Sequence, residues 1–539
     1  MSTLNESGRQ AAPRRIVWSI AGTDSGGGAG LAADLRMADA FGVHLCPVVA
    51  AVTAQNSHSV TCVEAMPVDL VDAQLQALSD DMPPAAIKTG LLGSAAQVRC
   101  IARWVDRLRA HGPLALVVDP VLGASTGARF ADADMIRAYH DELLPRATLV
   151  TPNRREALML PDADDREHDL PAMAQALRSA GSQSVCITGG DSADFDGLVL
   201  DWISTPHAQG WLASPRIETP HTHATGCSFA TAAASAFALD FVVADALVLA
   251  KMATTHALRR AYAAGAGAGP VHAGEGFAVD PDLLPLLSWG EEAFFATLPA
   301  YAGDTNSGSP KGTLGLYAIV ESSERVRQAL SAGIRTLQLR IKPSSQPDAS
   351  WHSRLRAEVQ ASIGACREAG AELFINDHWQ LARESGASGV HLGQEDLLAL
   401  GEDGRRLLLD SGLALGISSH SLWELCRARS LSPRYIACGP VWPTLTKAMP
   451  WHPQGMDNLA WWVHMAGVPV VAIGGVLEPQ QVEMASRSGA DGVCVVRALG
   501  DDPQASVPAL RAAWHTGRWG ERLPTPSMPH PSLPASQRQ

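Results

Sequence analysis

In the second half of the chain, short apolar runs recur at helix-length intervals: residues 316–320, 336–340, 373–376, 389–392, 413–418, 435–439, 469–475 and 492–496. Each run has the length of a strand, and each interval is long enough for one helix. About eight such strand–helix units within about two hundred residues leave few architectures open, because strands of this kind close on one another as a TIM (β/α)8 barrel. Most of the runs end in a polar residue or glycine, at the strand ends where this architecture carries its chemistry.

The first half alternates in the same way but less regularly, with apolar runs at 16–22, 43–55, 85–90, 114–121, 148–153 and 184–190 separated by helical patterns. That alternation predicts an α/β domain with a mainly parallel sheet and flanking helices. The runs at 197–203 and 211–219 have no helix between them and predict an antiparallel hairpin. Small, polar and Pro residues replace the periodic pattern at 297–313, which reads as a linker. The expected organisation is a polar N-terminal tail over 1–15, a domain over 16–296, the linker over 297–313, a barrel over 314–520 and a disordered tail over 521–539.

Composition excludes several functions. Forty-two Lys and Arg against fifty-five Asp and Glu give a formal net charge of −13, so no broad basic field attracts nucleic acid or an anionic membrane. Any phosphate site must be local. Nine cysteines without a CxxC pair argue against a disulfide framework and for a reducing, cytoplasmic location. Residues 1–15 have no apolar stretch behind their arginines, so they do not read as a secretory signal. Residues 229–250 are apolar but contain Asp240 and Asp245, and read as one buried core helix rather than a membrane span.

Two features of the first half carry chemistry. The run Ala21-Gly22-Thr23-Asp24-Ser25-Gly26-Gly27-Gly28-Ala29-Gly30 joins a strand to a helix. It lacks the GK[ST] of a phosphate-binding P-loop and stands between a tight turn and a ligand clamp. The run His221-Thr222-His223-Ala224-Thr225-Gly226-Cys227-Ser228 precedes a helix. Backbone N–H groups at such an N-terminus favour anions and the charge of a transferring phosphoryl group, and Cys227 there is expected to have a lowered pKa and to accept a proton. A capped helix with a buried thiol is the alternative.

These two runs, with Ala33-Asp34-Leu35, TAQN at 53–56, Lys88-Thr89-Gly90, Asp119-Pro120-Val121, TPN with Glu156, and Gly189-Gly190, resemble hydroxymethylpyrimidine/phosphomethylpyrimidine kinase, of the ribokinase-like fold, over about residues 16–285. The resemblance implies ATP as co-substrate. It implies that Gly22, Asp34, Gln55 and Val121 line the pyrimidine pocket, that Asn153 and Glu156 lie near the metal and ATP phosphates, and that Gly226 and Cys227 form an anion hole and base. A carboxylate and a carboxamide are groups able to pair with an aminopyrimidine edge. Three positions depart from the family pattern: Thr188 and Ser125 stand where lysines are usual, and Ala224 where glycine is usual. Loss of two cations weakens stabilisation of phosphate charge, which keeps open a pyrimidine-binding module without turnover. A pyridoxal-type kinase of the same fold is the other alternative.

In the second half, Gln338, Arg340, Lys342, Asn376, Asp377, Gln394, Asp396, Ser418, Thr444, Thr446, Lys447, Gly474 and Gly475 all fall at expected strand ends. Two carboxylates with cations and hydroxyls suit a Mg²⁺-bound polyphosphate. The segments QLRIK, INDHWQLA, GVHLGQED, GISSHS, YIACGPVWPTLTK and VAIGG resemble thiamine phosphate synthase over about residues 314–499. That resemblance implies Mg²⁺ on Asp377 and Asp396; pyrophosphate on Arg340, Lys342, Asn376 and Lys447, with Lys447 assisting departure of the leaving group; the pyrimidine against Gln338 and Ser418; and the thiazole phosphate at Thr444, Thr446, Gly475 and Val496. Arg497 stands where serine is common.

The two resemblances fit together, since the product of the one is the substrate of the other. The expectation is a bifunctional thiamine-biosynthesis enzyme acting on hydroxymethylpyrimidine, its phosphate, ATP and thiazole phosphate, with no nucleic-acid or membrane partner. A homo-oligomer is compatible with the sequence by analogy with these folds alone.

Overall fold

The computed structural model describes residues 13–123, 131–160, 169–190, 197–293, 295–296, 313–342, 347–443 and 450–534. They form two compact units, divided in sequence between Ala278 and Val279.

In the first unit the strands are β1 (Ile16–Asp24), β2 (His44–Gln55), β3 (Val60–Ala65), β4 (Ala86–Thr89), β5 (Ala115–Val118), β6 (Leu149–Val150), β7 (Val185–Ile187), β8 (Leu198–Ser204) and β9 (Gln209–Pro215). Their order is β9-β8-β7-β6-β5-β4-β1-β2-β3. The centre from β2 through β1 and β4 to β7 is parallel, whereas β3 and the β8–β9 hairpin are antiparallel. β1 is buried along most of its length, as expected for a central strand covered on both faces. The edge strand β3 has no counterpart among the expected runs. Its sequence VTCVEA carries Thr and Glu among Val, Cys and Ala, and none of its positions is buried.

Residues 229–250 form two helices rather than one, Thr225–Ala238 and Val243–Arg259. The break falls at Asp240, whose φ of 75° lies in the left-handed region that no helix continues through. Both helices are almost wholly buried. Among the described residues no helix is long and apolar enough to cross a membrane.

The second unit opens with a two-residue strand β10 (Leu286–Leu287). It then forms a closed barrel of β11 (Gly315–Val320), β12 (Thr336–Leu339), β13 (Glu372–Asn376), β14 (Gly389–Leu392), β15 (Ala414–Ser419), β16 (Tyr435–Cys438), β17 (Val470–Ala472) and β18 (Gly492–Val495). All neighbours are parallel, and β11 pairs with β18 to close the ring. Tyr317, Phe374 and Tyr435 fill the interior with Leu314, Ile319, Ala437, Val471 and Cys494. Gly416 makes that possible: a Cβ there would fall on the Tyr435 ring.

The unit boundary differs from the expected one. Residues 279–296 group with the barrel. Trp289 is buried there, donating from Nε1 to the Arg427 carbonyl at 3.0 Å and lying under the Arg405 and Arg427 guanidinium groups. Residues 521–534, expected as a disordered tail, pack on the same unit. The His530 N–H donates to Asn458 Oδ1 at 2.8 Å, and the His452 N–H to the Ser532 carbonyl at 2.8 Å. These bonds, with His530 Nε2 and the Gln454 carbonyl 2.9 Å apart, hold the segment in place. The expected linker lies almost wholly outside the described residues.

Candidate functional sites

In the first unit, β1 runs into the Gly-rich turn and the helix Gly30–Ala40. The Asp24 carboxylate organises the turn, accepting from the N–H groups of Gly26, Gly28 and Ala29 at 2.8, 3.0 and 2.7 Å. His223 Nε2 lies 3.2 Å from Asp24 Oδ2 and 3.2 Å from Gln55 Nε2. Burial opposes the Asp24 charge, but His223 and the backbone donors outweigh it and hold the carboxyl below its usual range. Gln55 is tied to the turn from its other side, since the Ser25 hydroxyl donates to the Gln55 carbonyl at 2.7 Å. Gly22 is buried beside Leu91. Gly30 has a φ of 54°, and a Cβ there would fall on the Gly22 carbonyl.

Asp34 is not on an accessible wall, contrary to the pocket role expected for it. It is fully buried, and both carboxylate oxygens are taken: Ser19 donates to Oδ2 at 2.6 Å, Thr231 to Oδ1 at 2.7 Å, and Lys88 Nζ to both at 3.0 and 3.2 Å. Lys88 is also 3.9 Å from Asp119. Burial works against the Lys88 charge, yet the Asp34 and Asp119 carboxylates outweigh it and hold the ammonium protonated. Asp119 Oδ2 accepts no hydrogen bond among the described residues, and burial raises this carboxyl to about 6 against the pull of Lys88.

Cys227 stands in the first turn of the helix Thr225–Ala238, as expected, but its thiol shifts in the opposite direction to the expected one. Burial pushes it up to about 12. Lys88 and a hydrogen bond from the Gly30 N–H pull it down, while Asp119 and Asp34 add to the rise. Desolvation is the largest of these effects. Gly226 is exposed, and Ala224 caps the helix in the left-handed region at φ 72°. The loop is held by the His223 N–H donating to the Gly269 carbonyl at 3.1 Å and the Val271 N–H to the His223 carbonyl at 3.1 Å.

Asn153 and Glu156 form a reciprocal cap on the helix Arg154–Met159, each side chain accepting from the other's backbone N–H at 3.0 Å. Thr188 pairs with Asn153 in an isolated parallel bridge. Val121, half-buried, follows β5 and donates its N–H to the Asp119 carbonyl. Ser125 lies outside the described residues.

In the second unit, Gln338, Asn376, His391 and Ser418 sit toward the ends of β12, β13, β14 and β15. Gln338 is 2% exposed, and its Nε2 donates to Asn376 Oδ1 at 2.7 Å. That fixes the Asn376 amide so that its NH₂ serves Asp377. Asp377 is exposed and has a φ of 64°. Its carboxyl is raised by partial burial and then by the Asp396 charge, with His378 and Arg340 acting in the other direction. Asp396 accepts from the Gly393 N–H at 3.0 Å. Two carboxylates that repel one another, beside Arg340, are a donor set that a divalent cation relieves, and Mg²⁺ is content with few protein ligands. Among the described residues no group of three or more His, Cys, Asp or Glu is placed to hold a metal. Arg340 and Lys342 are exposed after β12.

Gly475, at φ 75°, packs against Trp442 and Pro443, where a Cβ would be 2.5 Å from the Trp442 Cβ. Val496 is exposed after β18. Thr444, Thr446 and Lys447 lie outside the described residues.

Comparison with known proteins assigns both units. Residues 24–272 match the phosphomethylpyrimidine kinase family, and residues 316–499 match the thiamine monophosphate synthase family. A probable thiamine biosynthetic bifunctional enzyme, chloroplastic, from Oryza sativa subsp. japonica is 32% identical over 515 residues, covering 92% of this chain and 88% of that protein. The chain belongs to the bifunctional thiamine biosynthetic enzymes. Separate relatives match each half of this family's architecture. A hydroxymethylpyrimidine/phosphomethylpyrimidine kinase from Synechococcus elongatus is 40% identical over 257 residues, 48% of this chain and 96% of that one. A thiamine-phosphate synthase from Neisseria meningitidis serogroup A is 42% identical over 209 residues, 38% of this chain and 96% of that one.

For this bifunctional enzyme, sequence reasoning missed Asp24, His223 and His391. Asp24 had a signal, an Asp two residues ahead of a Gly run, which is the pattern of a side chain bonding the turn that follows it. His223 and His391 had none, because their partners Asp24 and Tyr435 come from distant parts of the chain.

Proposed function

We propose that the first unit transfers the γ-phosphoryl group of ATP to hydroxymethylpyrimidine and then to its monophosphate, and that the second unit couples the resulting diphosphate to thiazole phosphate with loss of pyrophosphate. The chain is a bifunctional thiamine-biosynthesis enzyme with a kinase part and a thiamine-phosphate synthase part. The observation that carries the reading is that one chain joins two families of which the first makes the substrate of the second.

In the kinase part we assign the pyrimidine edge to Gln55, with Gly22 and Val121 beside the ring, and the phosphates to the N–H groups around Gly226 and Cys227. Asn153 and Glu156 are assigned to the ATP and metal side. Asp34 instead maintains Lys88 as a buried cation under the site. With a thiol raised to about 12, Cys227 carries its proton at neutral pH. The minor thiolate form, which Lys88 favours, takes the proton of the substrate hydroxyl as the O–P bond to the γ-phosphorus forms and the bond to ADP breaks.

In the synthase part the C–O bond to the diphosphate breaks, pyrophosphate takes the electron pair, and the thiazole nitrogen captures the pyrimidine cation. Arg340, Lys342, Asn376 and Lys447 are assigned to the leaving group, whose growing charge needs neutralising more than any proton transfer needs help. Asp377 and Asp396 would hold Mg²⁺, which supplies further charge neutralisation when bound. Gln338 holds Asn376 in place. Ser418 meets the pyrimidine, and Thr444, Thr446, Gly475 and Val496 the thiazole phosphate. Nine free cysteines support a reducing, cytoplasmic setting.

The experiment is incubation of the full chain with hydroxymethylpyrimidine, Mg·ATP and thiazole phosphate, followed by phosphorus NMR. Thiamine phosphate and pyrophosphate are the expected products. Product only when the pyrimidine diphosphate is supplied ready-made would reduce the first unit to a binding module.

A further inference from the structure

A line of hydrogen bonds runs through the barrel interior to the mouth. The Tyr317 hydroxyl is 2.6 Å from the Tyr435 hydroxyl, the Tyr435 hydroxyl is 2.8 Å from His391 Nδ1, and His391 Nε2 is 2.8 Å from Ser418 Oγ. Both tyrosines and His391 are buried, and Ser418 is half-buried. Among the described residues the Tyr317 and Ser418 hydroxyls bond no other side chain, and no carboxylate bonds the imidazole. An unpaired imidazolium in such an interior is costly, so His391 carries one N–H.

Two proton orders are then open. If Nδ1 carries the proton, it donates to Tyr435 and Ser418 donates to Nε2, which leaves one tyrosine proton buried without an acceptor. If Nε2 carries it, Tyr317 donates to Tyr435, Tyr435 to Nδ1 and Nε2 to Ser418. Every buried donor then has an acceptor, and the Ser418 proton alone is left for a ligand. Buried donors are rarely left unmet, so the second order holds.

We propose that Tyr435, acting through His391, is a positioning residue that fixes Ser418 as a hydrogen-bond donor to an acceptor nitrogen of the pyrimidine ring. This rests on the assignment of Ser418 to the pyrimidine. It makes the synthase site selective for a ring that presents a bare nitrogen at that point and not a C–H.

The test has two arms on the full chain. Histidine-selective ¹⁵N NMR, with His391 identified by its loss in His391→Gln, reads the tautomer. The expected result is a protonated Nε2 and a bare Nδ1, whose resonance moves in Tyr435→Phe and stays in Tyr317→Phe; a protonated Nδ1 overturns the proposal. In the second arm, kcat/KM is compared for the pyrimidine diphosphate and for analogues with each ring nitrogen replaced by C–H. One analogue should be worse by about tenfold or more, the worth of one lost hydrogen bond to a site built for it, and Ser418→Ala should abolish that difference. If the tautomer is as stated but Ser418→Ala keeps the full discrimination, Ser418 does not meet the ring nitrogen and the proposal falls with that assignment. If Ser418→Ala abolishes it but Nδ1 is protonated, the assignment stands and the tyrosine-set order falls.

Discussion

Asp24 Oδ2 and His223 Nε2 lie 3.2 Å apart although 199 residues separate them, and this contact ties the Gly-rich turn after β1 to the loop that opens the helix Thr225–Ala238. The pair holds together the two loops to which the proposed pyrimidine and phosphate sites are assigned. Asp24→Asn removes the charge that three backbone donors and His223 share. The expected effects are a several-fold rise in the KM for hydroxymethylpyrimidine and a loss of about 1–3 kcal/mol in the stability of the first unit at pH 7. Because the folded-state carboxyl is depressed, its contribution is present above the usual carboxylate range and lost as pH falls through the folded value. Denaturant titrations should therefore show the gap between variant and parent narrowing in acid; a gap independent of pH would refute this account.

Asp119 has the opposite sign. Its folded-state carboxyl is raised from 3.8 to about 6, so the folded protein binds more protons than the unfolded chain between those values and loses stability as pH rises through them. At about 1.4 kcal/mol per unit the penalty approaches about 3 kcal/mol above pH 6. Asp119→Asn should match the parent near pH 4 and exceed it in stability above pH 6. Equal stability at all pH values would show that Lys88 already compensates the charge.

Ala224 occupies the left-handed cap at φ 72°, where an L side chain costs about 1–2 kcal/mol and glycine nothing. Ala224→Gly should raise the stability of the first unit by about 0.5–1 kcal/mol, the relief less the entropy that glycine returns to the unfolded chain. Calorimetry of both forms checks this, and a fall in melting temperature would contradict it.

Trp289 joins the segment before the barrel to the barrel itself. It is 5% exposed and lies within 5.7 Å of Arg405 and 5.5 Å of Arg427. Trp289→Ala in the full chain should destabilise the second unit by about 3–5 kcal/mol, and synthase activity should fail on heating before kinase activity does. Loss of the kinase activity first would place residues 279–296 with the other unit.

The elements legible in the sequence are those whose pattern is local. All eight barrel strands and the β8–β9 hairpin lie where their apolar runs fall, because a strand covered on both faces has to be continuously apolar. The edge strand β3 is short and nowhere buried, and the break at Asp240 depends on a single backbone angle, so neither has a periodic signature. Residues 521–534 read as a tail from their Pro and Ser content; what holds them is a few directed bonds from His530 and His452, to which composition is blind. The same division runs through the sites. Gln55, Gly226, Asp377 and Asp396 stand in recognisable motifs, whereas the burial of Asp34 depends on Ser19, Lys88 and Thr231 from three other elements. The Cys227 thiol shifts against expectation because a helix N-terminus is visible in sequence and desolvation is not.

The most direct test of the two-site account is complementation between two inactive full-length variants, Cys227→Ala and Asp377→Asn, each supplied with hydroxymethylpyrimidine, Mg·ATP and thiazole phosphate. Alone, the first should form no pyrimidine diphosphate and the second should accumulate it; mixed, they should make thiamine phosphate. Diphosphate formation by the Cys227 variant at the parental rate, or no product from the mixture while the diphosphate accumulates, would contradict the assignment of the two reactions to these two sites.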